Sequence, residues 1–258
     1  MRELHQAIIL EAANAFQLEG KVLGAQPYGG GHINDTFAVT CKRDDSSIKR
    51  YILQRINTNV FKNPVQLMEN IVGVTSFIGK VIQKNGGDLM RETLTVIPAK
   101  DGRNWYKDTD SGYWRVYHFI EDTLTYNQVE NKKDFYSSAR AFGKFQRLLA
   151  DYPAHTLQET IPNFHDTVDR FTKFREALEK DVCGRAGDVS QEIDFVINRE
   201  KDTHRLIDLQ KIGKLPLRVT HNDTKLNNVL IDKVTGEGIC VIDLDTVMPG
   251  HDSIKIDY

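Results

Sequence analysis

Residues 221–228 read His-Asn-Asp-Thr-Lys-Leu-Asn-Asn, and residues 241–245 read Val-Ile-Asp-Leu-Asp. The first stretch is polar and precedes an apolar run, whereas in the second a carboxylate, Asp243, follows two apolar residues of a predicted strand. Asp223, Asn228 and Asp243 succeed one another at intervals of five and fifteen residues. This order predicts polar groups supplied by a loop and by the end of a short strand.

The spacing His-x-Asp, followed five positions later by Asn, is that of the catalytic loop of kinases. Such a loop lets Asp223 accept a hydroxyl proton while Asn228 binds magnesium, and Asp243 stands where kinases carry the second metal ligand. In the alternative interpretation, His221 and Asp223 form a loop cap, and Asp243 and Asp245 close a strand in solvent. The coincidence of spacing, order and flanking apolar strands favours phosphoryl transfer.

Three consecutive glycines, Gly29, Gly30 and Gly31, lie between predicted strands at residues 21–28 and 35–41. Glycines let backbone amides approach a polyphosphate, so this turn fits one that covers phosphates. Three glycines also suit any flexible hairpin, and the pattern Gly-x-Gly-x-x-Gly is absent. The position ahead of the other kinase-like stretches favours the phosphate interpretation.

The third predicted strand, residues 51–56, departs from the kinase pattern. Kinases carry a phosphate-binding lysine on this strand, but Gln54 occupies the aligned position and Arg55 follows it. Arg55 reaches the phosphates only if the register differs by one residue, which turns a side chain to the other face of the sheet. Glu69, on the next predicted helix, is the candidate ion-pair partner or else a solvated carboxylate.

Residues 117–121, Tyr-His-Phe-Ile-Glu, lie where predicted strands give way to predicted helices. In a kinase, adenine would hydrogen-bond to the backbone here and stack on apolar side chains, which makes His118, Phe119 and Ile120 candidate nucleotide-binding residues. The aromatic residues equally suit a hydrophobic core, and periodicity does not separate the two interpretations.

The order of predicted elements indicates an α+β fold. After a short amphipathic N-terminal helix, a five-stranded antiparallel sheet is predicted from strands at 21–28, 35–41, 51–56, 93–98 and 113–120. One helix follows Pro64, residues 100–111 form a loop, and further helices are predicted at 131–150, 163–181 and 190–210. Strands at 228–231 and 239–242 form a hairpin. We therefore expect an N-terminal lobe at residues 1–120 and a mainly helical C-terminal lobe at 121–258, joined near residues 118–127.

Composition limits the partners. Acidic and basic residues nearly cancel, 36 against 34, so no strong field indicates nucleic acid or an anionic membrane. Three scattered cysteines favour a reducing cytoplasm over a disulfide framework or a zinc site. No apolar run is expected to approach the roughly 20 residues that span a bilayer. A small-molecule partner, and a monomer or weak oligomer, fit best.

Four stretches, residues 28–36, 51–57, 221–228 and 241–250, resemble the aminoglycoside phosphotransferase and choline kinase superfamily, the small-molecule branch of the protein-kinase-like fold. The closer similarity is to N-acetylhexosamine 1-kinases. The resemblance implies a two-lobed protein-kinase-like architecture that uses ATP and Mg²⁺. It also implies phosphorylation of the anomeric hydroxyl of a sugar acceptor, N-acetylglucosamine or N-acetylgalactosamine.

The same resemblance implies roles for individual residues. Asp223 would be the base, and Asn228 and Asp243 the metal ligands. Lys225 is a candidate cationic donor to the transferring phosphate. Three residues beyond the glycine turn would face either the phosphates or the sugar, namely His32, Asn34 and Asp35.

Two further points follow from the resemblance. The family usually continues past the position of Tyr258 with helices that build much of the acceptor pocket, so we expect a shortened C-terminus. Because the catalytic loop does not define the acceptor, an aminoglycoside, choline or homoserine is the first alternative. A nucleotide-binding pseudokinase is the second, motivated by Gln54 and by the expected shortened C-terminus, although the intact Asp223, Asn228 and Asp243 argue against it.

Overall fold

The first half of the chain forms an antiparallel sheet in which buried and exposed residues alternate. The computed structural model describes residues 6–31, 33–129 and 131–250. The sheet strands are β1 Lys21–Pro27, β2 Asp35–Lys42, β3 Ile48–Ile56, β4 Val96–Ile97, β5 Tyr106–Lys107 and β6 Tyr113–His118. Their order is β1-β2-β3-β6-β4, and β5 also pairs with β6. The predicted antiparallel sheet is confirmed, but it has six strands, because two residues of the expected loop 100–111 pair as β5.

The helices are α1 Gln6–Asn14, α2 Pro64–Lys84, α3 Leu89–Glu92, α4 Lys132–Leu148, α5 Thr167–Lys180, α6 Ser190–Ile197 and α7 Glu200–Lys211. Side-chain caps begin the longer ones: Asn131 accepts from the Asp134 amide, and Asp166 accepts from the amides of Val168 and Asp169. The single helix expected at 190–210 is two helices, because the backbone at Arg199 leaves helical dihedral angles (φ −109°, ψ 12°). The α+β fold class is confirmed, whereas the division at residue 120 stays a prediction.

Helix α2 is apolar over most of its length. Its best 18-residue window has a mean hydropathy of 1.2, which by length and composition is enough to cross a membrane. The expectation that no apolar run approaches that length is therefore wrong. About half of this window, 44%, is buried. Leu67, Met68, Ile71 and Val74 pack into the hydrophobic core, which accounts for the composition.

The sheet has two faces with separate cores. The outer face packs against α1, and its buried residues include Val39, Tyr51, Leu53, Trp114 and Val116. The inner face packs against α2 and the C-terminal part of the chain through residues that include Ile52, Ile56 and Tyr117. Since side chains alternate along a strand, even-numbered residues of β3 and odd-numbered residues of β6 share the inner face. Register pairs Gln54 with Arg115 on the inner face and Arg55 with Trp114 on the outer face.

Five short strands position the two motif stretches in the C-terminal part. They are β7 Thr123–Leu124, β8 Arg218–Thr220, β9 Val229–Asp232, β10 Gly238–Val241 and β11 Met248–Gly250. The predicted hairpin is confirmed as the antiparallel pair β9 and β10, with Val229 opposite Val241. Strands β8 and β11 also pair, with Thr220 opposite Met248. Residues 221–228 run from β8 to β9, and residues 242–247 run from β10 to β11. The pairing of β8 with β11 and of β9 with β10 therefore holds these two segments next to each other. Strands β7, β8 and β11 were not predicted, because two or three residues carry too little periodicity.

Candidate active site

His221 is a buried anchor of the loop at 221–228. Its Nε2 donates to the Ile242 carbonyl at 2.9 Å, and its Nδ1 accepts from the Asp223 amide at 3.3 Å. The rings of Phe142 and Phe145 pack edge-on against the imidazole. Burial lowers the pKa of His221, so the ring is neutral with its proton on Nε2. The histidine thereby fixes the direction of the backbone at Asp223.

Asn222 makes the turn that presents Asp223. Its backbone is left-handed, with φ at 64°, a conformation that asparagine tolerates better than most residues. Its side-chain Nδ2 donates to the Thr246 carbonyl at 2.9 Å, and its Oδ1 accepts from Thr220 Oγ1 at 2.8 Å. His165 Nε2 donates to the Asn222 carbonyl at 2.8 Å. The loop is thus tied to the segment that carries Asp243.

Asp223, Lys225 and Asn228 form one hydrogen-bonded group. Lys225 Nζ lies 2.8 Å from Asp223 Oδ1 and 3.2 Å from Oδ2. Asn228 Nδ2 donates to the Asp223 carbonyl at 2.8 Å and to Oδ2 at 3.3 Å. The structure therefore brings together the residues predicted as base, cationic donor and first metal ligand.

Asp243 lies at the end of the β9–β10 hairpin beside Asn228. The Ile242 amide donates to the Asn228 carbonyl at 2.9 Å, which continues the strand pairing to these two residues. Burial, with the neighbouring carboxylates of Asp245 and Asp223, raises the pKa of Asp243 to about 7, although Arg115 acts in the opposite direction. Asp223, Asp243 and Asp245 thus influence one another, and the region between them, the glycine turn and the inner face of the sheet is called the cleft below.

A divalent cation fits the pair formed by Asp243 and Asn228. Within residues 6–31, 33–129 and 131–250 no cluster of three or more His, Cys, Asp or Glu side chains suits a metal. One carboxylate, from Asp243, and one amide, from Asn228, fit Mg²⁺, which keeps several waters and uses phosphate oxygens as its other ligands. The donor set is thus one that a nucleotide would complete.

The glycine turn joins β1 to β2. The Tyr28 amide donates to the Thr36 carbonyl at 2.9 Å, and Gly29 is left-handed with φ at 77°. A Cβ atom added at Gly29, Gly30 or Gly31 would meet no neighbour within 4 Å. The glycines therefore leave open space above the turn, as approach by a phosphate chain requires.

The structure describes two of the three candidate residues beyond the turn, Asn34 and Asp35. Asn34 uses both ends of its amide inside the protein: Nδ2 donates to Asp245 Oδ2 at 2.6 Å, and Oδ1 accepts from the Asn57 amide at 3.0 Å. Asp35 begins β2, opposite Arg55. His32 lies outside the described residues. Asn34 is thus a link between elements, whereas it was expected to face the phosphates or the sugar.

The candidates at the kinase lysine position divide between the two faces of the sheet. Gln54 points to the inner face, where its Oε1 accepts from Arg115 Nε at 2.9 Å. Arg55 points to the outer face, 5.9 Å from the centre of the Trp114 ring, so it is not brought to the motif stretches. Glu69 is exposed and forms no ion pair within the described part of the chain. The expected ion pair from α2 is therefore absent there, because Gln54 is neutral and Arg55 faces away.

The three candidate nucleotide-binding residues His118, Phe119 and Ile120 also have different surroundings. His118 packs on Tyr51 of the outer face, and its amide donates to the Thr95 carbonyl at 2.9 Å. Ile120 is buried in the inner core. The Phe119 ring contacts Tyr28, at the start of the glycine turn, with ring centres 5.3 Å apart. Among the three, Phe119 is the one whose side chain borders the glycine turn.

The sequence did not lead us to predict the ion pair between Arg115 and Asp245. Both terminal nitrogens of Arg115 contact the Asp245 carboxylate, with Nη2 3.0 Å from Oδ2. Burial alone would lower the pKa of Arg115, but Asp245 outweighs it and raises the pKa. One feature of the sequence could have indicated it: Arg115 lies between the apolar residues Trp114 and Val116 of a predicted strand.

Comparison with known proteins gives a consistent picture. A family model described as "Phosphotransferase enzyme family" matches residues 24–251. An amicoumacin kinase, solved in complex with AMP-PNP and Ca²⁺, is 13% identical with a TM-score of 0.55, over 96% of this chain and 66% of that chain. An aminoglycoside phosphotransferase from Alicyclobacillus acidocaldarius is also 13% identical with a TM-score of 0.55, over 96% and 68%. At this identity the likeness shows the fold alone, and it confirms the kinase-like architecture.

Proposed function

Since the chain belongs to the phosphotransferase enzyme family, we propose that it transfers the γ-phosphate of ATP to a hydroxyl group of a small molecule. The observation that carries the proposal is the convergence of Asp223, Lys225 and Asn228 in one hydrogen-bonded group beside Asp243. The chain spans 66% and 68% of the lengths of the two similar structures, so the activity of the whole protein belongs to this proposal.

Asp223 is the base of the proposed reaction. Its carboxylate is held by Lys225 and Asn228, which orient it without burying it completely. As the acceptor oxygen bonds to the γ-phosphorus, the bond to the β,γ-bridging oxygen breaks, and the hydroxyl proton passes to Asp223 Oδ. Because phosphoryl transfer has a loose transition state, positioning contributes more than covalent participation.

Asn228 and Asp243 are the proposed metal ligands. A bound Mg²⁺ supplies charge neutralisation at the phosphates. A divalent cation would favour the charged form of Asp243, whose pKa burial and neighbouring carboxylates raise, and Asn228 would add a neutral oxygen from the catalytic loop. Lys225, half-exposed beside Asp223, is available to exchange that contact for a phosphate oxygen. The AMP-PNP and Ca²⁺ of the amicoumacin kinase support a nucleotide with a divalent metal.

We further propose N-acetylglucosamine or N-acetylgalactosamine as the acceptor, phosphorylated at the anomeric hydroxyl. This part rests on the resemblance of residues 28–36, 51–57, 221–228 and 241–250 to N-acetylhexosamine 1-kinases. Aminoglycoside, choline or homoserine is the alternative acceptor, because the catalytic loop contacts the hydroxyl and not the rest of the molecule.

Release of ADP from ATP and Mg²⁺ tests the proposal, with N-acetylglucosamine, N-acetylgalactosamine, glucose, choline, homoserine and kanamycin as acceptors. The control is the Asp223→Asn variant, which keeps the shape of the loop and removes the base. We expect turnover with the N-acetyl sugars that the variant loses. Turnover with another acceptor would overturn the sugar assignment alone. MgATP binding without turnover on any acceptor would favour the nucleotide-binding pseudokinase.

A further inference from the structure

The inner face of the sheet carries a cation in an unexpected place. Protein kinases use a lysine on the third strand, paired with a glutamate of the following helix, to hold the nucleotide phosphates. Here that strand offers the neutral Gln54, and Glu69 of α2 is exposed. Directly across the strand pair, in register with Gln54, lies Arg115 of β6. The inner face therefore holds a positive charge one strand away from the kinase position.

Arg115 is fixed by three contacts. Its Nε donates to Gln54 Oε1 at 2.9 Å, and its two terminal nitrogens donate to the two oxygens of Asp245. Gln54 in turn donates to Thr36 Oγ1 at 3.0 Å. The side chains of Arg115 and Asp245 are 1% and 3% exposed. A buried bidentate pair whose Nε–H also has an acceptor is held in one orientation.

Asp245 also receives the residue that follows the glycine turn. Asn34 Nδ2 donates to Asp245 Oδ2 at 2.6 Å, and Asn34 Oδ1 holds the Asn57 amide. Asp245 itself lies two residues beyond Asp243. One carboxylate thus joins three parts of the cleft: the end of the glycine turn, the inner face of the sheet, and the strand end that carries the metal ligand.

The helix that supplies the ion pair in protein kinases has a different task here. Asn70 of α2 is buried, and its Nδ2 donates to the carbonyls of Val247, at 3.1 Å, and Gln158, at 2.8 Å. Its Oδ1 accepts from the Gln158 amide at 2.9 Å. α2 therefore binds the segment after Asp245 through a neutral amide. The charged contact between the sheet and that segment comes from β6.

The negative charge of the neighbouring aspartates accounts for a positively charged residue at position 115. Asp223, Asp243 and Asp245 influence one another electrostatically, and a nucleotide adds several negative charges to the same cleft. Arg115 balances Asp245, which leaves Asp243 as the acidic group for the metal. The guanidinium suits this place because it stays charged when buried and forms two parallel hydrogen bonds.

We propose that Arg115 is a positioning residue for the metal-bound nucleotide. Together with Asp245 it takes the place of the strand-lysine and helix-glutamate pair, with Gln54 as its support on β3. The pair holds Asp243 and the glycine turn in the arrangement that accepts nucleotide with Mg²⁺. This inference rests on the proposed function.

Calorimetric titration with ADP, in the presence and absence of Mg²⁺, tests the inference without any acceptor. Removing Arg115 alone leaves Asp245 as a buried unpaired charge, which endangers folding. The variant to compare is therefore Arg115→Met with Asp245→Asn, which removes both charges and keeps an acceptor for Asn34. Lys107→Met, an exposed cation of β5 in the same sheet, is the matched control.

The double variant is expected to fold and to lose at least about tenfold in affinity for ADP with Mg²⁺. Its affinity for metal-free ADP should change much less, a difference that a merely structural role would not produce. Arg115→Lys, which keeps the charge without the bidentate geometry, should bind with intermediate affinity. Lys107→Met should bind as the parent does.

Three results would overturn the inference, and they are distinguishable. A folded double variant that binds ADP with Mg²⁺ as tightly as the parent would overturn the role of Arg115 and leave the proposed function standing. A parent chain that binds no nucleotide would overturn both. An equal loss for ADP with and without Mg²⁺ would assign the pair to general structure and would also contradict the inference.

Discussion

Arg55 and Arg115 lie on neighbouring strands of one sheet and have opposite surroundings. Arg55 is adjacent to the kinase lysine position in sequence, yet it points to the outer face, near Trp114. Arg115 is sixty residues further along the chain, and it points to the inner face, against Asp245. The difference shows that strand parity, rather than closeness to a motif in sequence, decides which arginine faces the inner side of the sheet.

The largest expected effect is on the rate of phosphoryl transfer, through the proposed base Asp223. Asp223→Asn should lower kcat by about 10²- to 10⁴-fold, because a positioned general base is lost. Affinity for ADP with Mg²⁺ should stay within a few-fold, since the metal ligands are intact. Steady-state rates and calorimetry measure the two quantities. Full turnover by Asp223→Asn would show that the base assignment is wrong.

The second effect is the cost of breaking the inner-face ion pair. Asp245→Ala should lower the free energy of unfolding by about 3–5 kcal/mol, because Arg115 becomes a buried charge without its partner. Urea denaturation measures this cost. The double variant Arg115→Met/Asp245→Asn should recover much of the lost stability. A loss below about 1 kcal/mol for Asp245→Ala would mean that the pair is solvated or unformed.

The third effect is a pH dependence of stability, to which one histidine near the inner face and one on the outer face contribute. Burial lowers the pKa of His221 in the catalytic loop and of His118 on the outer face. A histidine with a lowered folded-state pKa adds stability above its ordinary value, near 6.5, and this stability is lost as pH falls below that value.

The two histidines should therefore lower the melting temperature as pH falls from 7.5 to 5.5, whereas proton uptake by Asp243, whose pKa is raised, acts in the opposite direction over the same range. His118→Gln should reduce the histidine contribution to this pH dependence, and the ring is replaceable because its Nδ1 is buried without a hydrogen-bond partner among the described residues. Thermal unfolding at the two pH values, for parent and variant, measures the change. An identical change in melting temperature for parent and His118→Gln would remove His118 from the explanation.

The smallest expected effect is at Arg55. Arg55→Gln removes a positive charge from the outer face, so affinity for ADP with Mg²⁺ should change less than about twofold, and stability by less than about 0.5 kcal/mol. The same titration used for Arg115 provides the measurement. A tenfold loss of nucleotide affinity would reverse the comparison, since it would place Arg55 at the phosphates.

Much of this architecture was predictable because its signals are local. Apolar alternation gave the long strands, and the short apolar runs around residues 233–238 gave the β9–β10 hairpin. The spacing of Asp223, Asn228 and Asp243 predicted that a loop and a strand end would meet, and the pairing next to Asn228 brings them together.

The remaining features depend on tertiary contacts that no local pattern reports. Strand β5 is two residues long and exists because β6 pairs with it. The ion pair between Arg115 and Asp245 joins residues 130 positions apart. Asn34 was expected to face a ligand, but its amide is engaged by Asp245, which lies in a different part of the sequence. Charge partners at such separations require the fold to be known first.

A structure of this chain with AMP-PNP and Mn²⁺, located by its anomalous signal, tests the central claim most directly. The account predicts the metal bound to Asn228 and Asp243 at about 2.0–2.2 Å, the γ-phosphate facing Asp223, and the pair of Arg115 and Asp245 intact beside it. A metal that contacts neither Asn228 nor Asp243, or a nucleotide bound away from the glycine turn, would contradict it.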